Sequence, residues 1–578
     1  MKLSRNILPI VIAGAALAGC TNLDEKLYSS IGTDNYYHTA LDVKRVVYRP
    51  FEHAYWSVTN YHTAQELTAD QLITPQRDSW WDDSGVWRML HYHQYDQYAP
   101  YLTHINGMWI SGFQGVGECN FVIDELSKLN PADFGLTQTD FDNYQAQARA
   151  LRAWFYIRLF DAFRNLPIWT DFDKTLPKDI HQADPKDTFS FIEQELIDCL
   201  GLIQQKQALG SQASIQGQWT TAGVAALLVR LYLNAEAWIG VDRYDDCALY
   251  ARRILDGEYG PYEVSDRWDA VFDWNNDTCD EMIFGFPSAG GYTYWAYQQE
   301  THWYTVPHNS NLYFGDIKCK AGTHNSQYAC SPSYDLSGKL YNYELGMTVN
   351  KFRKYDGDCR MKMYRNLGNS RREGMFVYGY LEYTDNGETK RLQATGQNYT
   401  IYIRDAVGHF HDMAPEQWPN SGESSMTSGD HNSGWHFAKY PFYPDGDEGQ
   451  LESDYAEIRL PEIIYSLAEC KLRRGNADEA GKLLNSVRRR YYPAENYDEV
   501  LYAPEGRATL DMDEMLDEWG REFLAEGRRR TDLIRFGKFS TGRWWDKNPD
   551  ADSHYELFPL TASRVLNSNS NLKQNPGY

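Results

Sequence analysis

Arg521-Glu522-Phe523-Leu524-Ala525-Glu526-Gly527-Arg528, followed by Asp532-Leu533-Ile534-Arg535-Phe536-Gly537, constrains the fold more than any other stretch of the chain. Charges of both signs recur here at helical spacing among Phe523, Leu524, Leu533, Ile534 and Phe536, so residues 511–538 read as a helix with apolar and ionic faces. Arg521, Glu522, Glu526, Arg528 and Asp532 fall on neighbouring turns. They suit a buried or half-buried ion network that locks helices together. A catalytic use of these carboxylates is the alternative reading, and no further motif accompanies it.

Working back from that block, residues 453–474 and 477–491 keep the same period, with Gly475-Asn476 as the turn between them. In the first half of the chain helices are expected at 37–68, 105–129, 141–163, 188–205, 219–238 and 242–256. Thr220-Thr221 opens the fifth with cap chemistry, and its interior from Ala225 to Leu233 is apolar on nearly all sides, hence buried. Helices of this length separated by short turns resemble a tetratricopeptide array, without that repeat's clean consensus. Between them, residues 258–450 lose helical periodicity and turn to Gly, Asn, Ser, Tyr and Pro. A stretch that long is a functional insertion or disordered, and its Tyr and Trp content argues against disorder. The tail from 541 reads as extended. The fold class expected is therefore mainly α: a tetratricopeptide-like helical-pair scaffold, a large irregular loop-rich ligand-binding insertion and a few short strands.

The first residues carry a different message. Met1-Lys2-Leu3-Ser4-Arg5, the apolar run Ile7 to Ala18 and Leu17-Ala18-Gly19-Cys20 form a secretion signal. Leu-Ala-Gly-Cys matches the bacterial lipobox, in which the Cys thiol is acylated. Acyl chains at ~0.8 kcal/mol per buried methylene make a durable anchor. Residues 1–19 are thus expected to be a lipoprotein signal peptide, Cys20 the lipid attachment point, 20–35 a tether, and 36–578 a single domain. The scaffold would occupy about 36–257 and 451–540, and the irregular part about 258–450.

The formal charge of −24 makes a polyanion such as nucleic acid a poor partner. Aromatics are plentiful (43 Tyr, 24 Phe and 18 Trp), yet mean hydropathy is −0.62, so many rings stand in polar company. Of nine cysteines, Cys199, Cys247 and Cys470 lie in helical patterns as buried thiols. Cys319 and Cys330 bracket a polar loop and would suit a bridge in an oxidising compartment.

Several segments resemble the SusD/RagB family. Glu66-Leu-Thr-Ala-Asp70, Pro75-Gln-Arg77 and Trp80-Trp81-Asp82-Asp83-Ser-Gly85-Val-Trp87 look like that family's aromatic loop after its early helices, continued by Leu90-His-Tyr-His93-Gln-Tyr95. Gln147-Ala-Arg149-Ala-Leu-Arg152-Ala-Trp-Phe-Tyr156 and Tyr455-Ala-Glu457-Ile-Arg459-Leu460 to Glu469 resemble two of its helices, although Pro461 replaces a usual small residue. The opening block and the close, Leu557-Phe-Pro-Leu560 and Asn571-Leu-Lys-Gln-Asn-Pro-Gly577-Tyr578, complete the likeness. The resemblance implies helical pairs capped by an irregular ligand-binding part. It further implies an outer-membrane, surface-exposed lipoprotein seated over a SusC-like TonB-dependent transporter.

Sugars offer C–H faces to flat aromatic rings and hydroxyl edges to polar side chains. The 70–95 segment has both, with Asp70, Arg77, Trp80, Trp81, Asp83, Trp87 and Tyr95 as candidates. The 291–313 segment adds Tyr294, Trp295, Trp303 and Tyr313. A glycan ligand is expected, with peptide capture as the alternative and glycoside hydrolysis as the remote one. No GxSxG, HExxH, Walker or GxGxxG context is present, so no catalytic residue and no cofactor is expected. His91/His93 and His409/His411 are HxH pairs, for which the sequence indicates no third ligand, so a structural or surface role is expected. Asp273-Trp-Asn275-Asn-Asp277 begins like a calcium loop, but Thr278 and Phe284 stand where Gly and Glu are required. It reads as a turn before the strand Met282 to Phe286.

Overall fold

The computed structural model describes residues 36–98, 103–172, 180–289, 304–315, 328–368, 371–442, 452–566 and 571–578. The lipobox, Cys20, the tether and Cys319 lie outside these, while Cys330 is buried. Helix α1 (Ala40–Leu67) opens with a capping box between Thr39 and Asp42. Helix α2 (Thr103–Lys128) follows, and α3 (Gln138–Phe163) opens with a second box between Thr137 and Asp140. α2 packs on both α1 and α3. Its glycines set the distance to α3: a Cβ on Gly115 would lie 2.1 Å from the Phe155 ring, and one on Gly112 would lie 2.7 Å from Leu159. Helix α4 (Pro185–Cys199) has Asp184 as its cap and Pro185 in its first turn. Helix α5 (Thr221–Leu233) is capped by Thr220 and buried on all sides save at Arg230. Helix α6 (Tyr244–Leu255) completes this run. Each of α4, α5 and α6 packs on the helix before it.

The chain then leaves the scaffold and returns as α7 (Leu460–Arg473) and α8 (Ala477–Arg488). α7 packs on α6 and α5, and α8 packs on α7. The helical array therefore continues across an insertion, as the sequence led one to expect. Among the described residues the strands are short and paired two by two, and two of these pairs tie the insertion to the scaffold segments on either side of it. Strands β1 (Leu72–Ile73) and β3 (Ala329–Cys330) pair antiparallel, as do β2 (Met282–Phe286) and β4 (Tyr455–Arg459). The Asp273 segment is a turn ahead of β2: Asp273 pairs with Arg267 at 2.9 Å, and Asn276 donates to the carbonyls of Val271 and Asp454.

Two helix expectations need correction. Residues 453–459 are not helical, because Tyr455–Arg459 is taken up by β2 and Pro461 sets the start of α7. The stretch 511–538 is two helices, α9 (Met512–Glu522) and α10 (Arg529–Arg535). Ala525 (φ +57°) and Gly527 (φ +71°) turn the chain between them. Groups of α1 replace the lost intrahelical bonds: His62 Nε2 lies 2.8 Å from the Ala525 carbonyl, and the Gly527 N–H donates to the Glu66 carboxylate at 2.8 Å.

The expected ion network is present and buried. Arg459 reaches Glu522 (2.6 Å) and Glu526 (2.8 Å), and Arg490 reaches Glu281 (2.6 Å) and Glu522 (2.9 Å). Arg521 and Arg488 share Glu518 at 2.7 and 2.5 Å. Arg535 joins Glu469 to Asp532. Burial pushes Glu518 up, but Arg488 and Arg521 outweigh it and hold the carboxyl down at about 2. Each of these carboxylates is paired with at least one guanidinium group, which is the structural reading of the opening block.

Candidate functional site

Most of the polar residues expected in the 70–95 segment hold the fold together. Asp70 is buried, pairs with Arg529 at 2.7 Å and accepts the Gly346 N–H. Arg77 is buried and donates to the carbonyls of Asp430 and Ser433 at 3.2 and 3.0 Å. Burial lowers its guanidinium to about 10. Asp83 accepts the N–H groups of Gly85, Trp87 and Arg88, organising the short helix Arg88–His91. Asp70, Arg77 and Asp83 are therefore corrected from ligand contacts to structural residues.

Two of the aromatic expectations fall the same way. Trp87 is buried, donates its indole N–H to His104 Nε2 at 3.0 Å, and meets Tyr304 and Tyr328 edge-on. Tyr95 is buried and donates to the Tyr555 carbonyl at 2.7 Å. Neither ring presents a face to a ligand, because loop and scaffold close around both. Tyr313 is half-buried, and its hydroxyl donates to the Tyr364 carbonyl. Tyr294, Trp295 and Trp303 lie outside the described residues.

Trp80 and Trp81 remain half-buried, short of full enclosure. Trp81 leans on the core, 6.1 Å from the Trp87 ring. Trp80 stands further out, where a tight turn brings the backbone of Arg77 opposite that of Trp81 with Asp78 at φ +51°. Loops distant in the chain gather around it. The His308 ring centre lies 4.2 Å from that of Trp80, and the His431 ring centre lies 5.3 Å away. Gln397 reaches Ser79 at 3.4 Å, and Asn309 donates to Thr395 at 2.8 Å. Tyr399 donates to the Asp78 carboxylate at 2.6 Å and accepts the His431 N–H at 3.2 Å. The result is a half-buried indole ringed by carboxylate, amide and hydroxyl groups, the chemistry that matches a sugar's face and edges. His308, Asn309, Thr395 and Tyr399 were not foreseen. They are polar residues in irregular sequence, and no periodic signal marks them.

The two HxH pairs separate. His93 is buried between Asp550 (2.7 Å) and the Thr68 carbonyl (2.8 Å). His91 is buried beside it, with burial lowering its imidazole to about 3. That pair is structural. His409 and His411 are exposed and close to Asp78.

Residues 301–578 match the sequence model of the SusD family, and residues 23–233 match that of a SusD-like family described as starch-binding, associating with the outer membrane. The chain is thus a SusD-like protein. Over 534 residues it is 23% identical to the starch-binding protein SusD of Bacteroides thetaiotaomicron, covering 84% of this chain and 82% of that protein. Among solved structures it resembles NanU of B. fragilis (18% identity, 95% of this chain, 99% of that chain, TM-score 0.64). It also resembles surface glycan-binding protein A of Bacteroides uniformis (16% identity, 93% and 99%, TM-score 0.61). At these identities the structural likeness speaks for the fold.

Proposed function

We propose that this protein binds a polysaccharide or oligosaccharide at the cell surface and performs no chemistry on it. The observation that carries this reading is the Trp80 platform, a half-buried indole among polar groups from separate loops of the irregular part. Relatives named as starch- and glycan-binding proteins support the ligand class. Trp81 extends the platform, and Tyr294, Trp295, Trp303 and Tyr313 supply further ring surface to the same ligand. The protein is held in the outer membrane by acyl chains on Cys20. It delivers its ligand to a SusC-like TonB-dependent transporter.

The test is affinity electrophoresis or a glycan array with the purified chain. Trp80→Ala should weaken glycan binding by roughly 2 kcal/mol, as for an interface hot spot, which is about thirty-fold in Kd. Its melting should stay close to that of the parent. Unchanged glycan binding in Trp80→Ala, binding of peptides in preference to glycans, or reducing-end release by the protein would each overturn the reading. Loss of the Cys20→Ala variant from the outer-membrane fraction and co-purification with a large β-barrel test the anchor and the partner.

A further inference from the structure

We infer that Asp78, His409 and His411 form a binding site for a zinc-class divalent transition metal. One ligand atom from each lies within 4.8 Å of the others. Phe410 between them is buried, while His409 and His411 are about half exposed, at 54% and 49% of their side-chain area. The carboxylate arrives from the Trp80 turn, far away in sequence, with Asp78 Oδ1 3.7 Å from His409 Nδ1.

The surroundings hold these groups as outer contacts hold metal ligands. Asp78 Oδ2 is occupied by the Tyr399 hydroxyl at 2.6 Å, which orients Oδ1 toward the histidines. The fully buried Asp430 accepts the backbone N–H groups of Phe410 (2.5 Å) and His411 (2.9 Å). That carboxylate stands 4.0 Å from His411 Nδ1, within reach of an imidazole N–H once the ring turns. Ligand atoms about 2.0–2.1 Å from one tetrahedral ion are roughly 3.4 Å apart. The present spacing, within 4.8 Å, would close to that value by rotation of the two exposed imidazoles.

Two neutral imidazoles and one carboxylate suit zinc and its neighbours, whereas calcium and magnesium take all-oxygen sets. Three protein ligands leave at least one coordination position open. The ion would tie the 409–411 segment to the turn that carries Trp80. The site does not depend on the glycan reading.

The experiment is zinc titration of the untagged, purified chain against a chromophoric chelator, with cobalt(II) absorption as the spectroscopic check. One ion per chain should bind, with the visible bands of nitrogen–oxygen coordination and no thiolate charge-transfer band. Zinc should raise the melting temperature. His411→Ala should weaken binding at least about 100-fold, beyond the loss typical of an outer-contact change, and should cancel the melting shift. In excess chelator it should melt with the parent, because the side chain is exposed. Asp78→Asn should act in the same direction. Absence of stoichiometric zinc binding, or binding unchanged in the His409→Ala/His411→Ala double variant, would overturn the inference.

Discussion

Replacing Arg459 by Met examines the network that joins the returning helices to the insertion. Arg459 is almost fully buried, and its guanidinium bonds the Glu522 carboxylate (2.6 Å), the Glu522 carbonyl (2.9 Å) and the Glu526 carboxylate (2.8 Å). Methionine fills much of the volume and removes the charge, so packing loss is small beside the stranded carboxylates. Breaking a buried pair from one side costs about 3–5 kcal/mol. Glu522 keeps Arg490 at 2.9 Å and Tyr491, and Glu526 keeps Lys439. The loss should therefore fall near the lower end, about 3 kcal/mol, or roughly a hundredfold in the folded-to-unfolded ratio. The assay is urea denaturation followed by tryptophan fluorescence. A second variant, Arg459→Met with Glu526→Gln, should recover more than additivity allows, by about 1 kcal/mol. The pH dependence has a definite sign. Burial raises Glu522 and Glu526, but Arg459, together with Arg490 at Glu522 and Lys439 at Glu526, outweighs it and both are depressed. Depressed carboxyls stabilise above the unfolded value and lose that stability as pH falls below it. The gap between parent and variant should thus be widest at neutral pH and shrink below about pH 4.5. A loss under about 1 kcal/mol, or strictly additive variants, would refute the network argument.

Further perturbations probe other contacts. Burial raises Glu66 from 4.5 to about 7, so ionisation destabilises the fold progressively from about pH 4.5 to 7 and fully above it. Glu66→Gln, which keeps the acceptor for the Gly527 N–H, should be the more stable protein at pH 8, by up to about 3 kcal/mol. That advantage should be absent at pH 4 in paired melting curves. Trp87→Ala should cost about 3–5 kcal/mol in urea denaturation, against little change for Trp80→Ala; equal losses would mean that both rings are core. Gly527→Ala should lose about 1–2 kcal/mol, since φ is +71° and the new methyl would sit 3.3 Å from His62; a stabilised variant would contradict the account of the α9–α10 break.

The helical array, its interruption by an irregular insertion and the ionic character of the 521–535 block follow from the sequence alone. Periodicity at 3.6, cap residues such as Thr220, and charges of both signs are local signals, and local signals survive without tertiary context. The division of the 70–95 segment was not legible. Trp80 and Trp87 stand in the same polar, aromatic-rich stretch, yet Trp87 is buried against Tyr304 and Tyr328 and Trp80 is left half-buried. What separates them is how completely loops from hundreds of residues away close over each, and composition carries no trace of that. The break at Ala525 was hidden for a related reason: Arg521 to Phe536 has unbroken helical period, and only His62 and Glu66 on α1 make the turn affordable by satisfying its backbone groups. The HxH of 409–411 was visible in the chain, whereas its third ligand was not. Asp78 reaches those histidines because loop closure in the irregular part brings its turn there, and long-range loop placement is decided by packing, which no local pattern encodes.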